Sequence, residues 1–187
     1  MRWLVLYARS RQLTASLAAV VISAVVVWAI GRGPTDHRLA LLVLATGTIA
    51  ASIGLGGQDH ALDRTAAIRW MPRRAMHVLL AGVVVGAVLL TVQTMGHELA
   101  TVEFVVRNCA GLLGLAALGA AIAGGQYAWT LPFAWLAFAF FAPPPTSVPM
   151  EVATWMMLPP GTAAGTWTAV TLGVVGTTAY AVAGPRR

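Results

Sequence analysis

The strongest constraint on this chain is the recurrence of long apolar runs, separated by short polar segments that carry nearly all of the charge. A helix that crosses a bilayer needs about 20 mostly apolar residues. Runs of this kind occupy 13–30, 38–57, 78–96, 104–124 and 162–183, and a shorter one lies at 127–142. Composition agrees: hydrophobic residues make up 58% and charged residues 10%, against about 45–50% and about 25% in soluble domains. The predicted fold is an all-α integral membrane protein, a single domain (1–187) with six transmembrane helices.

The polar segments supply the punctuation. Residues 1–12 read as an interfacial amphipathic helix, with Trp3, Leu4 and Tyr7 at the apolar boundary and Arg2, Arg9 and Arg11 toward headgroups. The first run is long and has no small-x-small cleavage pattern before Gly31-Arg32, which predicts a retained span rather than a cleaved signal. Gly82 and Gly86 form a GxxxG pair in the third span that permits close helix approach. Arg107 falls one turn inside the fourth span, where a charge is costly unless it snorkels or pairs. Glu103, four residues earlier on the same face, is its candidate partner in an ion pair at the outer edge. Between Ala142-Pro143-Pro144-Pro145 and Pro159-Pro160, the segment 146–160 carries Glu151, Trp155, Met156 and Met157. It reads as a short outer or re-entrant helix, and the sequence leaves open which.

Charge sets the orientation. The net charge is +6, carried by twelve arginines and no lysine. With six spans and the N-terminus inside, Arg2, Arg9, Arg11, Arg64, Arg69, Arg73, Arg74, Arg186 and Arg187 face the cytoplasm. Arg32, Arg38 and Arg107 fall on the other side, a nine-to-three split that follows the positive-inside rule. The expectation is a multi-pass protein of the cell inner (cytoplasmic) membrane with both termini cytoplasmic. Scattering of the arginines between apolar spans argues against a nucleic-acid patch.

The same residues exclude several chemistries. Without lysine there is no Schiff base and no GxxxxGK[ST] phosphate loop. The single cysteine, Cys109, lies in an apolar run and cannot pair within the chain. His37, His60, His77 and His97 all fall at span edges, and His77 and His97 lie at opposite ends of one span, so no haem pair or shared metal is expected. No acidic residue occupies a span centre, which disfavours a proton-coupled carrier. The chain has no HExxH, GxSxG or paired-Asp motif. No catalytic, cofactor-binding or metal site is therefore expected in it.

The one elaborate polar stretch is 58–77, QDHALDRTAAIRWMPRRAMH. Leu62, Ala66 and Trp70 recur at i, i+4, i+8, with Asp63, Arg64 and Arg69 beside them. Pro72 should end that helix and a turn should lead into the third span. Residues 59–74 thus read either as a docking helix for a soluble partner or as a solvated basic loop that only fixes orientation.

In layout the chain resembles the ABC-2 type (type V) permease subunits of ABC exporters. The points of resemblance are the N-terminal piece 1–12, the loop from Leu62-Asp63-Arg64-Thr65 to Met71-Pro72-Arg73-Arg74, and the segment 146–160 between spans five and six. The loop departs from the family's Glu-x-Gly-Thr form. The resemblance implies that 59–74 is a cytoplasmic coupling helix between spans two and three. Leu62, Asp63, Arg64, Ala66, Arg69 and Trp70 would then dock an ATPase. It implies two permeases, as a homodimer or related heterodimer, working with an ABC ATPase dimer that binds ATP and Mg. The substrate would be hydrophobic, peptide-like or lipid-like. Two other readings stay open: an accessory or assembly subunit of a larger membrane complex, and an integral membrane enzyme, which the missing acid–base groups disfavour.

Overall fold

The computed structural model describes residues 37–56, 70–95 and 98–186, together with Ala18, Val21, Ile22, Val25, Val26 and Ala29. Among the described residues every regular element is helical. These are α1 (His37–Ser52, continued by a 3-10 turn at Ile53–Leu55), α2 (Trp70–Gln93), α3 (Val102–Ala123), α4 (Thr130–Phe141), α5 (Val148–Ala153) and α6 (Ala163–Ala183). Short 3-10 turns also occur at Gly125–Tyr127 and Trp155–Met157. Three helices are long and apolar enough to cross a membrane: His37–Leu55, Trp70–Gln93 and Val102–Ala123. The described residues are thus those of an all-helical membrane protein.

Local sequence explains the helix ends. Thr101 caps α3: its side chain accepts a hydrogen bond from the Phe104 amide at 3.3 Å, satisfying one of the free first-turn donors. The helix stops at Gly124, whose φ of 105° suits a residue without Cβ. Three prolines follow α4, and Pro149 opens α5 within its first turn.

α3 is the axis of the bundle, with Phe104, Val105, Leu112, Ala116 and Ala120 buried along it. α6 lies against α3 more extensively than any other helix does. Their backbones meet where side chains are absent. A Cβ on Gly114 would strike the backbone at Leu172, and a Cβ on Gly176 would strike the backbone of Gly114. Small residues at a helix interface allow this approach, and dispersion between the backbones then holds it. α1, α3 and α6 run in the same direction. At one end the His37 ring meets Phe104 edge-on at 5.0 Å. At the other, the Tyr180 hydroxyl donates to the Leu55 carbonyl at 2.9 Å, and the Arg186 amide donates to the Ala120 carbonyl at 3.0 Å. α2 runs the opposite way, since Gly82 faces Leu113 while Gly86 faces Cys109 and Val105.

Two expectations change. Pro72 does not end a helix: it lies in the first turn of α2, which continues unbroken through Arg73, Arg74 and His77 to Gln93. Amides of a first turn have no intrahelical acceptor, so proline costs little there. The expected turn between Arg74 and Val78 is therefore absent. The fifth apolar run also forms less helix than its length suggests. α4 has 12 residues, about 18 Å at 1.5 Å per residue, short of a hydrocarbon core of about 30 Å.

Candidate functional site

Of the predicted docking residues, Leu62, Asp63, Arg64, Ala66 and Arg69 lie outside the described residues. Trp70 opens α2 and is half-buried, with the Arg73 guanidinium 5.9 Å from its ring centre. The Arg74 guanidinium lies against Gly184, so the start of α2 and the end of α6 share one end of the bundle with Arg186. Among the described residues Glu98, Glu103 and Glu151 lie toward the other end, beside the starts of α1, α3 and α6.

That second end holds the most developed polar site among the described residues. Arg107 is 6% exposed and does not snorkel. Its Nη2 donates to the Leu158 carbonyl at 2.7 Å and its Nη1 to the Pro159 carbonyl at 2.9 Å. The guanidinium carbon stands 5.4 Å from the Phe104 ring centre, within cation–π range. Gly165 makes room for it, because a Cβ there would lie 3.0 Å from Nη1. The expected partner, Glu103, is exposed and takes no part in these hydrogen bonds. The reason is geometric: the planar fork of arginine reaches two adjacent carbonyls at once, and the Pro159 carbonyl it shares also accepts from the Thr162 hydroxyl at 2.8 Å.

The segment after α4 folds back onto α3 to present those carbonyls. Trp155 and Met156 are fully buried, not held at an interface. The Trp155 six-membered ring sits directly on Gly111, the only kind of residue that leaves space for it. Trp135 on α4 ties the same segment by donating its indole N–H to the Ala153 carbonyl at 2.7 Å. Asn108 is fully buried and donates from Nδ2 to the Phe104 carbonyl at 3.0 Å. Arg107 Nε, Asn108 Oδ1 and Trp155 Nε1 are buried without a hydrogen-bond partner.

The predicted glycine pair is on α2, facing α3. A Cβ on Gly86 would meet Cys109 Sγ and Val105 at about contact distance, and one on Gly82 would press on the Leu113 side chain at 2.7 Å. The tighter glycine seam, Gly114 with Gly173 and Gly176, was not singled out by the sequence. Its signal was the spacing Gly165…Gly173…Gly176, at roughly helical intervals on one face of α6. Asn108 and the two carbonyls that hold Arg107 carried no sequence signal. Among the described residues no group of His, Cys, Asp and Glu side chains is placed to hold a metal ion. No family model matches this sequence, and no curated protein or solved structure matches it either.

Proposed function

We propose that this protein is the membrane permease subunit of an ABC exporter, working as one of two permeases with a separate ATPase dimer that binds ATP and Mg. The observation that supports this reading best is the folded-back module between α4 and α6. The resemblance expects short helices at that place, and α5 with the Trp155–Met157 turn supplies them. In this reading the chain makes six passes through the inner membrane with both termini in the cytoplasm. The arginine-bearing end, with Trp70, Arg73, Arg74 and Arg186, faces the ATPase, and the glutamate-bearing end faces outward. Residues 59–74 act as the coupling segment, and its last five, Trp70 to Arg74, open α2. The cargo is a hydrophobic, peptide-like or lipid-like molecule.

The test is partner capture and ATP hydrolysis measured in parallel. Aromatic and arginine residues are the usual energetic anchors of an interface. Trp70→Ala and Asp63→Arg should leave the membrane protein expressed but abolish substrate-stimulated hydrolysis by the partner ATPase. Full partner binding and full hydrolysis in both variants would remove the coupling-helix assignment and the exporter reading with it. An accessory subunit of a larger complex would then be the reading to pursue, through the proteins that co-purify with it.

A further inference from the structure

We propose that residues 142–162 form a hinged cap, latched to α3 by Arg107 and released when that guanidinium turns to Glu103. The inference is independent of the transport reading and rests on three features of the outer end of the bundle.

The first is the latch itself. The cap is bounded by two breaks in the helical chain. Pro143, Pro144 and Pro145 are exposed at one end, and Gly161 takes a φ of 83° at the other. Trp155 and Met156 seat it in the apolar core, and its specific fastenings are the Arg107 fork on the Leu158 and Pro159 carbonyls, the Trp135 indole on the Ala153 carbonyl, and the Trp155 ring on Gly111. Arg107 supplies the only charged fastening among these, and charge-assisted hydrogen bonds are about twice as strong as neutral ones.

The second is a competing partner. Glu103 precedes Arg107 by one helical turn, so their side chains share a face. Its Oε1 lies 4.0 Å from where a Cβ of Gly161 would be, beside the same turn whose carbonyls Arg107 holds. A change of side-chain rotamer moves the guanidinium from two carbonyls of the cap to one carboxylate of its own helix.

The third is incomplete satisfaction. With the cap in place, Arg107 Nε, Asn108 Oδ1 and Trp155 Nε1 all lie buried and unpartnered. Each carries the desolvation cost of a buried polar atom with no partner to offset it. Lifting the cap lets water reach Trp155 Nε1, which it carries, and Arg107 Nε, which it holds. The closed arrangement is held by packing and by the latch against this polar deficit, which is the condition for a two-state element.

Thiol accessibility in purified, detergent-solubilised protein tests the cap without reference to membrane sidedness. Met156→Cys, in a Cys109→Ala background, places the probe under the cap, and Ser147→Cys gives an exposed reference. The Met156→Cys probe should react slowly. Arg107→Gln should speed it by about tenfold or more, since one charged hydrogen bond exceeds the free energy of a tenfold change. Glu103→Gln removes the competitor from an exposed position and should slow the probe further, with the Ser147→Cys rate constant throughout. A Met156→Cys rate that is unchanged in monodisperse Arg107→Gln protein overturns the latch. If Arg107→Gln does not fold, Glu103→Gln decides alone: an equal or faster rate than in its parent overturns the competition between partners.

Discussion

Gln93 closes α2 and organises the turn that follows. Its Oε1 accepts from the Leu99 amide at 3.0 Å and the Ala100 amide at 2.7 Å, and the side chain is 8% exposed. One acceptor thus satisfies two buried donors that have no helix or strand to bond to. Gln93→Leu keeps the volume and removes the acceptor. It should destabilise the fold by about 2–4 kcal/mol, from two amides left unpaired. Thr94→Val, at the next residue and on an exposed side chain, should change stability by less than about 0.5 kcal/mol. Melting temperatures in detergent compare the two, and equal shifts would show that water replaces Gln93 at both amides. Arg107 marks the limit of residue-level reading. Its place one turn inside an apolar run was legible in the sequence, and so was its choice between snorkelling and pairing. The partner was not, because the carbonyls of Leu158 and Pro159 are 51 and 52 residues away in the chain and carbonyl groups leave no mark on side-chain pattern.

Among the elements, the pairing of α3 with α6 is the most sensitive to substitution. Gly114 and Gly176 meet backbone to backbone, so an added methyl has no flexible neighbour to displace. Gly82 presents the opposite case, since its Cβ would meet only the end of the Leu113 side chain. Gly176→Ala should therefore cost about 1–3 kcal/mol as overpacking, whereas Gly82→Ala should be near neutral, with improved helix propensity of about 1 kcal/mol set against a modest rearrangement of Leu113. A larger loss of folded yield for Gly82→Ala than for Gly176→Ala would contradict this ranking. The GxxxG motif in α2 was the one visible from sequence because its four-residue spacing is familiar. The packing seam in α6 spreads over Gly165, Ala169, Gly173 and Gly176, where small residues of two types share one face.

For the whole molecule, the apolar runs made the helices at 37–55, 70–93 and 102–123 legible, because length and hydropathy alone decide whether a segment suits lipid. The beginning of α2 was harder to place. Trp70, Met71 and Pro72 look like a helix end when proline is read without its position in the turn. The burial of Trp155 was also hidden, since the same residue suits an interface or a glycine-lined recess equally well. The proposed orientation rests on charge alone, and labelling in intact cells checks it. Cysteine at Thr65 should be shielded from an impermeant thiol reagent and cysteine at Ser147 should react, both in a Cys109→Ala background. The reverse pattern would invert the nine-to-three arginine argument.

The distance in sequence between Arg107 and its carbonyls also sets an order of events during synthesis. A ribosome adds roughly 5–20 residues each second. The 52 residues that separate Arg107 from Pro159 therefore take on the order of 3–10 s to appear. Throughout that interval α3 carries a guanidinium whose acceptors do not yet exist, on a helix whose glycine face has no α6 to meet it. Glu103 is the single acid on α3 and emerges just before the arginine. The side chain that competes with the cap in the finished fold is the one group within reach to chaperone Arg107 while the helix enters the membrane.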